Sequence, residues 1–192
     1  MKSSQSLLAP QILLDDIISL NVDFFDFFGE KQSGVIEVHN SIQNDIQELF
    51  RLIFKLQFPI HSVKPISEYN FSDDDSMNAN NTSAFNFRTV AMDPTRISHH
   101  GYGVAIDINP MQNPYIKGNT VLPSRGVYNV NQLGTLYDNH PIVIFMKERG
   151  FVWGGDWEKP YVDYQHFEKS LPENIREKYQ RDIEIILKNK KT

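Results

Sequence analysis

Between Gly103 and Ile108 the chain reads Gly-Val-Ala-Ile-Asp-Ile, and that alternation admits one register. Successive side chains of a strand point to opposite faces, so Val104, Ile106 and Ile108 form a face to be buried. Asp107 lies on the other face with Gly103 and Ala105. A slip of one residue would bury the carboxylate and expose three aliphatics, which fixes the strand against a core. The chain thus sets an acid beside two of the smallest side chains, seven residues after His100.

Around this strand the pattern alternates between short strands and helices. Val22 to Glu30 is dense in phenylalanine and ends in a glycine turn, and Val35 to His39 reads as a second short strand. From Ser41 to Leu56 the residues Ile42, Ile46, Leu49, Phe50 and Ile53 recur at spacings of three and four, which predicts an amphipathic helix ended near Pro59. Glu68 to Arg88 is long, polar and rich in Asp and Asn, and reads as a loop. Phe87 to Met92 predicts a strand, and Asn109 to Tyr128, rich in Pro, Gly and Asn, a surface loop. His140 to Gly150 predicts a short helix, followed by a strand at Phe151 to Gly155. Ser170 to Glu173 has the form of a capping box with Pro172 in the first turn, opening a helix to about Lys188. The expected architecture is α+β, with a small, mostly antiparallel sheet flanked by helices. The expected organisation is an N-terminal extension at 1–21, a main domain at 22–170 and a C-terminal helix at 171–192.

A chain of 192 residues with 40% hydrophobic content, 13 Phe and 8 Tyr can bury a core without staples. The absence of cysteine removes disulfides, thiolate metal sites and cysteine nucleophiles together. A net charge of −5 and the lack of a basic patch interleaved with aromatics argue against nucleic acid as a partner. The basic run Lys188 to Lys191 closes the last helix, where cations suit the dipole. The N-terminal stretch lacks the unbroken apolar core of a signal peptide, and no stretch has the length and apolarity of a membrane span.

HExxH, P-loop and GxSxG patterns are absent, and Gly101 to Ile106 lacks the third glycine of a dinucleotide fingerprint. Histidines and carboxylates remain. His39, His61 and His140 sit at element ends or in a turn and read as capping or surface residues. His100, Asp107 and His166 in strand-proximal positions have the composition of a three-ligand zinc site with an open fourth position. The same residues also fit a hydrogen-bonded core histidine and a solvated aspartate. The residues alone leave both open.

Ser98 to Asp107 fits S-x-H-x-x-G-x-A-x-D, and on this stretch the chain resembles the D-alanyl-D-alanine carboxypeptidase family of zinc metallopeptidases. That family includes vancomycin-resistance D,D-carboxypeptidases, D-Ala-D-Ala dipeptidases and the L-alanyl-D-glutamate endopeptidases of phage lysins. Asp163-Tyr164-Gln165-His166, after the Trp-Gly-Gly-Asp-Trp of Trp153 to Trp157, is similar to the family's second signature. Asn80 to Arg88 resembles a third stretch, carried by one branch ahead of the metal motif. The likeness runs from about Val22 to Glu168.

The resemblance implies one zinc per chain held by His100, Asp107 and His166, with Gly103 and Ala105 keeping the ligand face clear. His99 falls on a variable position, as a bystander or an outer support. Asp163 becomes the general base, although many relatives carry Glu there. Its spacing from His166 requires a turn, expected near Pro160 to Tyr164. Arg88 aligns with an arginine that stabilises an oxyanion or holds a substrate carboxylate, on a loop expected to fold over the cleft. Ser98, Tyr102 and Trp157 are candidate substrate contacts, as is Trp153 unless it packs in the core; Asp156 is a turn residue or an outer support. The implied activity is zinc-dependent hydrolysis of a peptidoglycan stem peptide next to a D-amino acid, first as a D,D-carboxypeptidase. The alternatives are an L-alanyl-D-glutamate endopeptidase and a silent wall-binding protein of the same fold. The implied location is the cell envelope or the secreted fraction, with a cytoplasmic, lysin-like setting as the alternative.

Overall fold

The computed structural model describes residues 8–91 and 93–189. A one-turn helix α1 (Gln11–Leu14) leads into the long hairpin of β1 (Ile17–Phe25) and β2 (Lys31–His39), antiparallel from Ile17 opposite His39 to Phe25 opposite Lys31. Leu20, Val22, Phe24, Ile36 and Val38 give this hairpin one buried face. Helix α2 (Gln43–Lys55) lies on it, with Ile46, Leu49, Phe50 and Ile53 buried as their spacing requires. The helix ends before Pro59. Gln57 takes a left-handed conformation, Phe58 N–H bonds the carbonyl of Ile53, and Gln57 N–H bonds that of Phe54. That is a Schellman stop made without glycine.

The polar segment expected as a loop has structure of its own. After β3 (Ser62–Val63) comes helix α3 (Asp73–Asn78), capped by the Ser72 hydroxyl on Asp75 N–H and carrying three aspartates in its first turn. A serine followed by acids is the composition of a helix N-terminus, which explains the departure from the loop expectation. Strand β4 (Asn81–Thr82) pairs in parallel with β3, and β5 (Thr89–Val90) pairs antiparallel with β6 (Asp93–Ile97). Strand β7 (Ala105–Asp107) follows, with Val104, Ile106 and Ile108 all buried in the main core.

The stretch expected as a surface loop after Asn109 also differs. It holds the hairpin of β8 (Tyr115–Lys117) and β9 (Thr120–Leu122), in which Lys117 pairs with Thr120 across Gly118-Asn119. Gly118 has φ of +56°, which suits a two-residue hairpin turn. Helix α4 (Pro141–Glu148), strand β10 (Val152–Trp153), strand β11 (Tyr161–Asp163) and strand β12 (His166–Glu168) complete the domain before helix α5 (Glu173–Asn189). The first α5 bond is accepted by the carbonyl of Pro172.

Among the described residues the pairings are antiparallel except for β3–β4 and one isolated bridge, and the architecture is α+β. The strands are divided among several two- and three-stranded sheets rather than one. His39 and His140 cap helical turns, accepting from Ser41 N–H and Ile142 N–H, but both are buried rather than superficial. Leu13, Phe85, Phe87, Ile97, Tyr179 and Ile183 form a second small core that seats α5. There the Tyr179 hydroxyl bridges His39 and Asp16. No helix among the described residues is long and apolar enough to cross a membrane.

Candidate metal centre

Three short elements deliver three side chains to one point. Ser98 caps a 3-10 turn (His99–Tyr102) by accepting from His100 N–H, and that turn presents His100. Strand β7 ends on Asp107. Strand β12 runs antiparallel beside it with His166 directly opposite Asp107, so the two side chains share a face. His100 Nε2 lies 3.1 Å from His166 Nδ1 and 3.2 Å from an Asp107 carboxylate oxygen, and His166 Nδ1 is 2.9 Å from the other. All three residues are buried.

The hydrogen bonds behind these atoms settle what can sit between them. His100 Nδ1–H donates to the carbonyl of Ala84 at 2.6 Å, and a carbonyl can only accept. His166 Nε2 lies 2.9 Å from Glu168, whose carboxylate likewise accepts. The remaining ring nitrogens therefore aim lone pairs at one another and at the Asp107 carboxylate. Only a positive charge satisfies that triangle, whether a proton or a metal ion. Separations of 2.9–3.2 Å also suit N and O donors bonded to one small ion at roughly 2.0–2.2 Å. His100, Asp107 and His166 together could hold a metal ion.

The surrounding electrostatics agree. Burial opposes a charged His166, yet the hydrogen bonds of Asp107 and Glu168 overcome it and push the imidazole up to about 10. Burial likewise works against ionised Asp107, but the two histidines hold it well below the usual carboxylate range. Asp163 behaves in the opposite way. Burial, followed by the charge of Asp107, pushes its carboxyl up to about 7, and its Oδ1 has no hydrogen-bond partner. A carboxyl poised near neutrality with one oxygen left free is suited to taking and returning a proton.

The turn between Asp163 and His166 falls at Tyr164-Gln165, slightly later than the expected Pro160 to Tyr164. It lets Asp163 end one strand and His166 begin another, and both line one cleft of about 470 Å³. Asp73, Met77, Arg88, Ser98, His99, Tyr161, Trp157 and Glu168 line the same cleft. The Trp157 ring lies 5.5 Å from that of His166. Arg88 is held by Asp73 at 3.1 Å while its Nε has no partner, and Asp73, Met77 and Arg88 bring their segment to the edge of the cleft. Tyr102 lies elsewhere, in a separate groove with Arg176 and Leu187 of α5. Trp153 is a core residue, its indole N–H bonded to the Tyr164 carbonyl, and Asp156 pairs with Lys147 away from the cleft.

Residues 92–169 match the family model described as D-alanyl-D-alanine carboxypeptidase. The likeness read from the sequence is shown over this segment. It contains Ser98, His100, Asp107, Asp163 and His166, whereas Arg88 precedes it. Comparisons with curated proteins and with solved structures returned no match.

Two glycines acquire reasons from the geometry. Gly103 does not clear space for a ligand: it ends the 3-10 turn at φ of +70°, where a Cβ would lie 2.7 Å from His39 N. Ala105 does share the face of Asp107, opposite Glu168. A Cβ on Gly154 would lie 2.4 Å from the Asp163 carbonyl oxygen and 2.9 Å from the Asp163 Cβ. Gly154→Ala is therefore expected to displace Asp163, costing about 1–3 kcal/mol of stability and more turnover than metal occupancy. Thermal unfolding beside a metal assay checks this, and an unchanged Tm would contradict the close contact.

Glu168 is the residue that sequence reasoning passed over. The signal was there, because His166 and Glu168 are two apart on a strand and so share a face.

Proposed function

We propose that this chain is a zinc-dependent peptidase that hydrolyses a peptidoglycan stem peptide next to a D-amino acid, as a D,D-carboxypeptidase. The observation that carries this reading is the buried triangle of His100, Asp107 and His166 lone pairs in a cleft shared with Asp163, whose Oδ1 has no hydrogen-bond partner. The family match over 92–169 supports the substrate class. His100 Nε2, His166 Nδ1 and the Asp107 carboxylate would hold the ion. When bound there, zinc polarises the scissile carbonyl and lowers the pKa of a water toward ~7. Asp163 takes the proton of the attacking water and delivers it to the departing amine as the carbon–nitrogen bond breaks. Ser98 holds the turn that presents His100, and Trp157 supplies an apolar wall. A peptidoglycan substrate assigns the work to the cell envelope or its surroundings.

Arg88 reads the free carboxylate of the substrate or stabilises the developing oxyanion, with Asp73 fixing its guanidinium. Arg88→Ala is expected to leave zinc bound and to lower kcat/KM by about 2–4 kcal/mol of transition-state stabilisation. Steady-state kinetics on a stem ending in D-Ala-D-Ala and on its C-terminal amide tests the reading. The acid should be strongly preferred. Equal cleavage of both would contradict carboxylate recognition and favour an L-alanyl-D-glutamate endopeptidase.

A further inference from the structure

Glu168 stands at the centre of an arrangement that the hydrolytic reading leaves unused. Its Oε2 lies 2.9 Å from His166 Nε2 and 2.7 Å from His99 Nδ1, so one carboxylate oxygen joins two imidazoles. The local sequence builds this deliberately tight contact from both sides. His166 and Glu168 project from the same face of β12, and the residue opposite Glu168 on β7 is Ala105, fully buried and too small to crowd it. His99 enters from the 3-10 turn that also carries His100. That turn therefore supplies one member of the lone-pair triangle directly and braces another through Glu168.

We propose that Glu168 and His99 form an outer carboxylate–imidazole pair that sets His166 as a metal ligand through Nδ1, an inference that rests on the metal-centre reading above. A neutral imidazole carries its proton on either nitrogen, and only the tautomer protonated on Nε2 turns an Nδ1 lone pair towards Asp107 and His100. Glu168 selects that tautomer because its carboxylate accepts and cannot donate. It also fixes the ring plane, since the imidazole must satisfy Glu168 on one edge and the triangle on the other. The His99 ring reaches Glu168 at 2.7 Å and acts on His166 through that carboxylate. It is a positioning residue for the carboxylate. Outer partners of this kind raise ligand basicity and orient the ring before the ion arrives.

The test is equilibrium competition for zinc against a chromophoric chelator, using the full chain as wild type, Glu168→Gln, Glu168→Ala, His99→Ala and the Glu168→Ala/His99→Ala double variant. Glu168→Ala is expected to weaken zinc binding by about 10–100-fold. Glu168→Gln keeps an acceptor for the His166 N–H and should recover most of that loss. His99→Ala should weaken binding less, and should add nothing in the Glu168→Ala background, because both act through one contact. Two-bond 15N–1H correlation spectra of the zinc-loaded chain should show His166 protonated on Nε2 in the wild type and mixed in Glu168→Ala, a signature that a purely structural role would not move. Wild-type affinity in Glu168→Ala, or independent additive losses at His99 and Glu168, would overturn the pair. A wild type that binds no zinc would instead overturn the metal-centre reading itself.

Discussion

Asp163→Asn is expected to keep its zinc and to lose turnover by about a hundredfold or more, the usual cost of removing a general base. The amide preserves the shape of the side chain but cannot accept and return a proton. The carboxyl is set apart for that work by its surroundings. Burial and the nearby charge of Asp107 push it up to about 7, and its Oδ1 has no other partner. A base works when deprotonated, so activity should rise with pH through the pKa of Asp163. A bound cation favours the carboxylate and moves that limb below 7. Rate–pH profiles of kcat/KM for the wild type and variant check the assignment, because the acid limb should vanish with Asp163. Unchanged turnover would mean that another group moves the proton.

The second large effect concerns the metal. His100→Ala removes a donor from the buried triangle and should reduce bound zinc from one per chain to background, with loss of the zinc-induced rise in Tm. His99→Ala leaves all three donors in place and should retain zinc when the ion is saturating. The contrast between adjacent histidines is a sharp test, since their chemistry is identical and only their placement differs. His100 Nε2 lies 3.1 Å from His166 Nδ1, whereas His99 reaches Glu168. Metal analysis after dialysis against zinc in excess, with the free zinc of the dialysate subtracted, reads the result. A chain that loses zinc with His99 and keeps it with His100 would contradict the geometry.

Much of this site was legible in the sequence because strands convert spacing into direction. Val104, Ile106 and Ile108 had to face the core, so Asp107 had to face away from it, and the structure agrees. Position along one strand says nothing about its partner, however. That His166 lies directly opposite Asp107 follows from the pairing of β12 with β7, which no local pattern specifies. Alternation carried back to Gly103 predicts clearance for a ligand there, but it runs two residues beyond the strand. The strand begins at Ala105, and Gly103 belongs to the preceding turn. The β8–β9 hairpin and α3 were hidden by polar composition, although Gly118-Asn119 and Ser72 before three aspartates carried their turn and cap chemistry. Tyr102 lies two residues from His100 but across a helical turn, which sends it towards α5 rather than the cleft.

Mass spectrometry of defined muropeptides incubated with the zinc-loaded chain tests the central claim most directly. A stem ending in D-Ala-D-Ala should lose its terminal alanine, the chelated protein should leave it intact, and restored zinc should restore cleavage. A chain that binds zinc through His100, Asp107 and His166 yet leaves every stem peptide uncut would contradict the account.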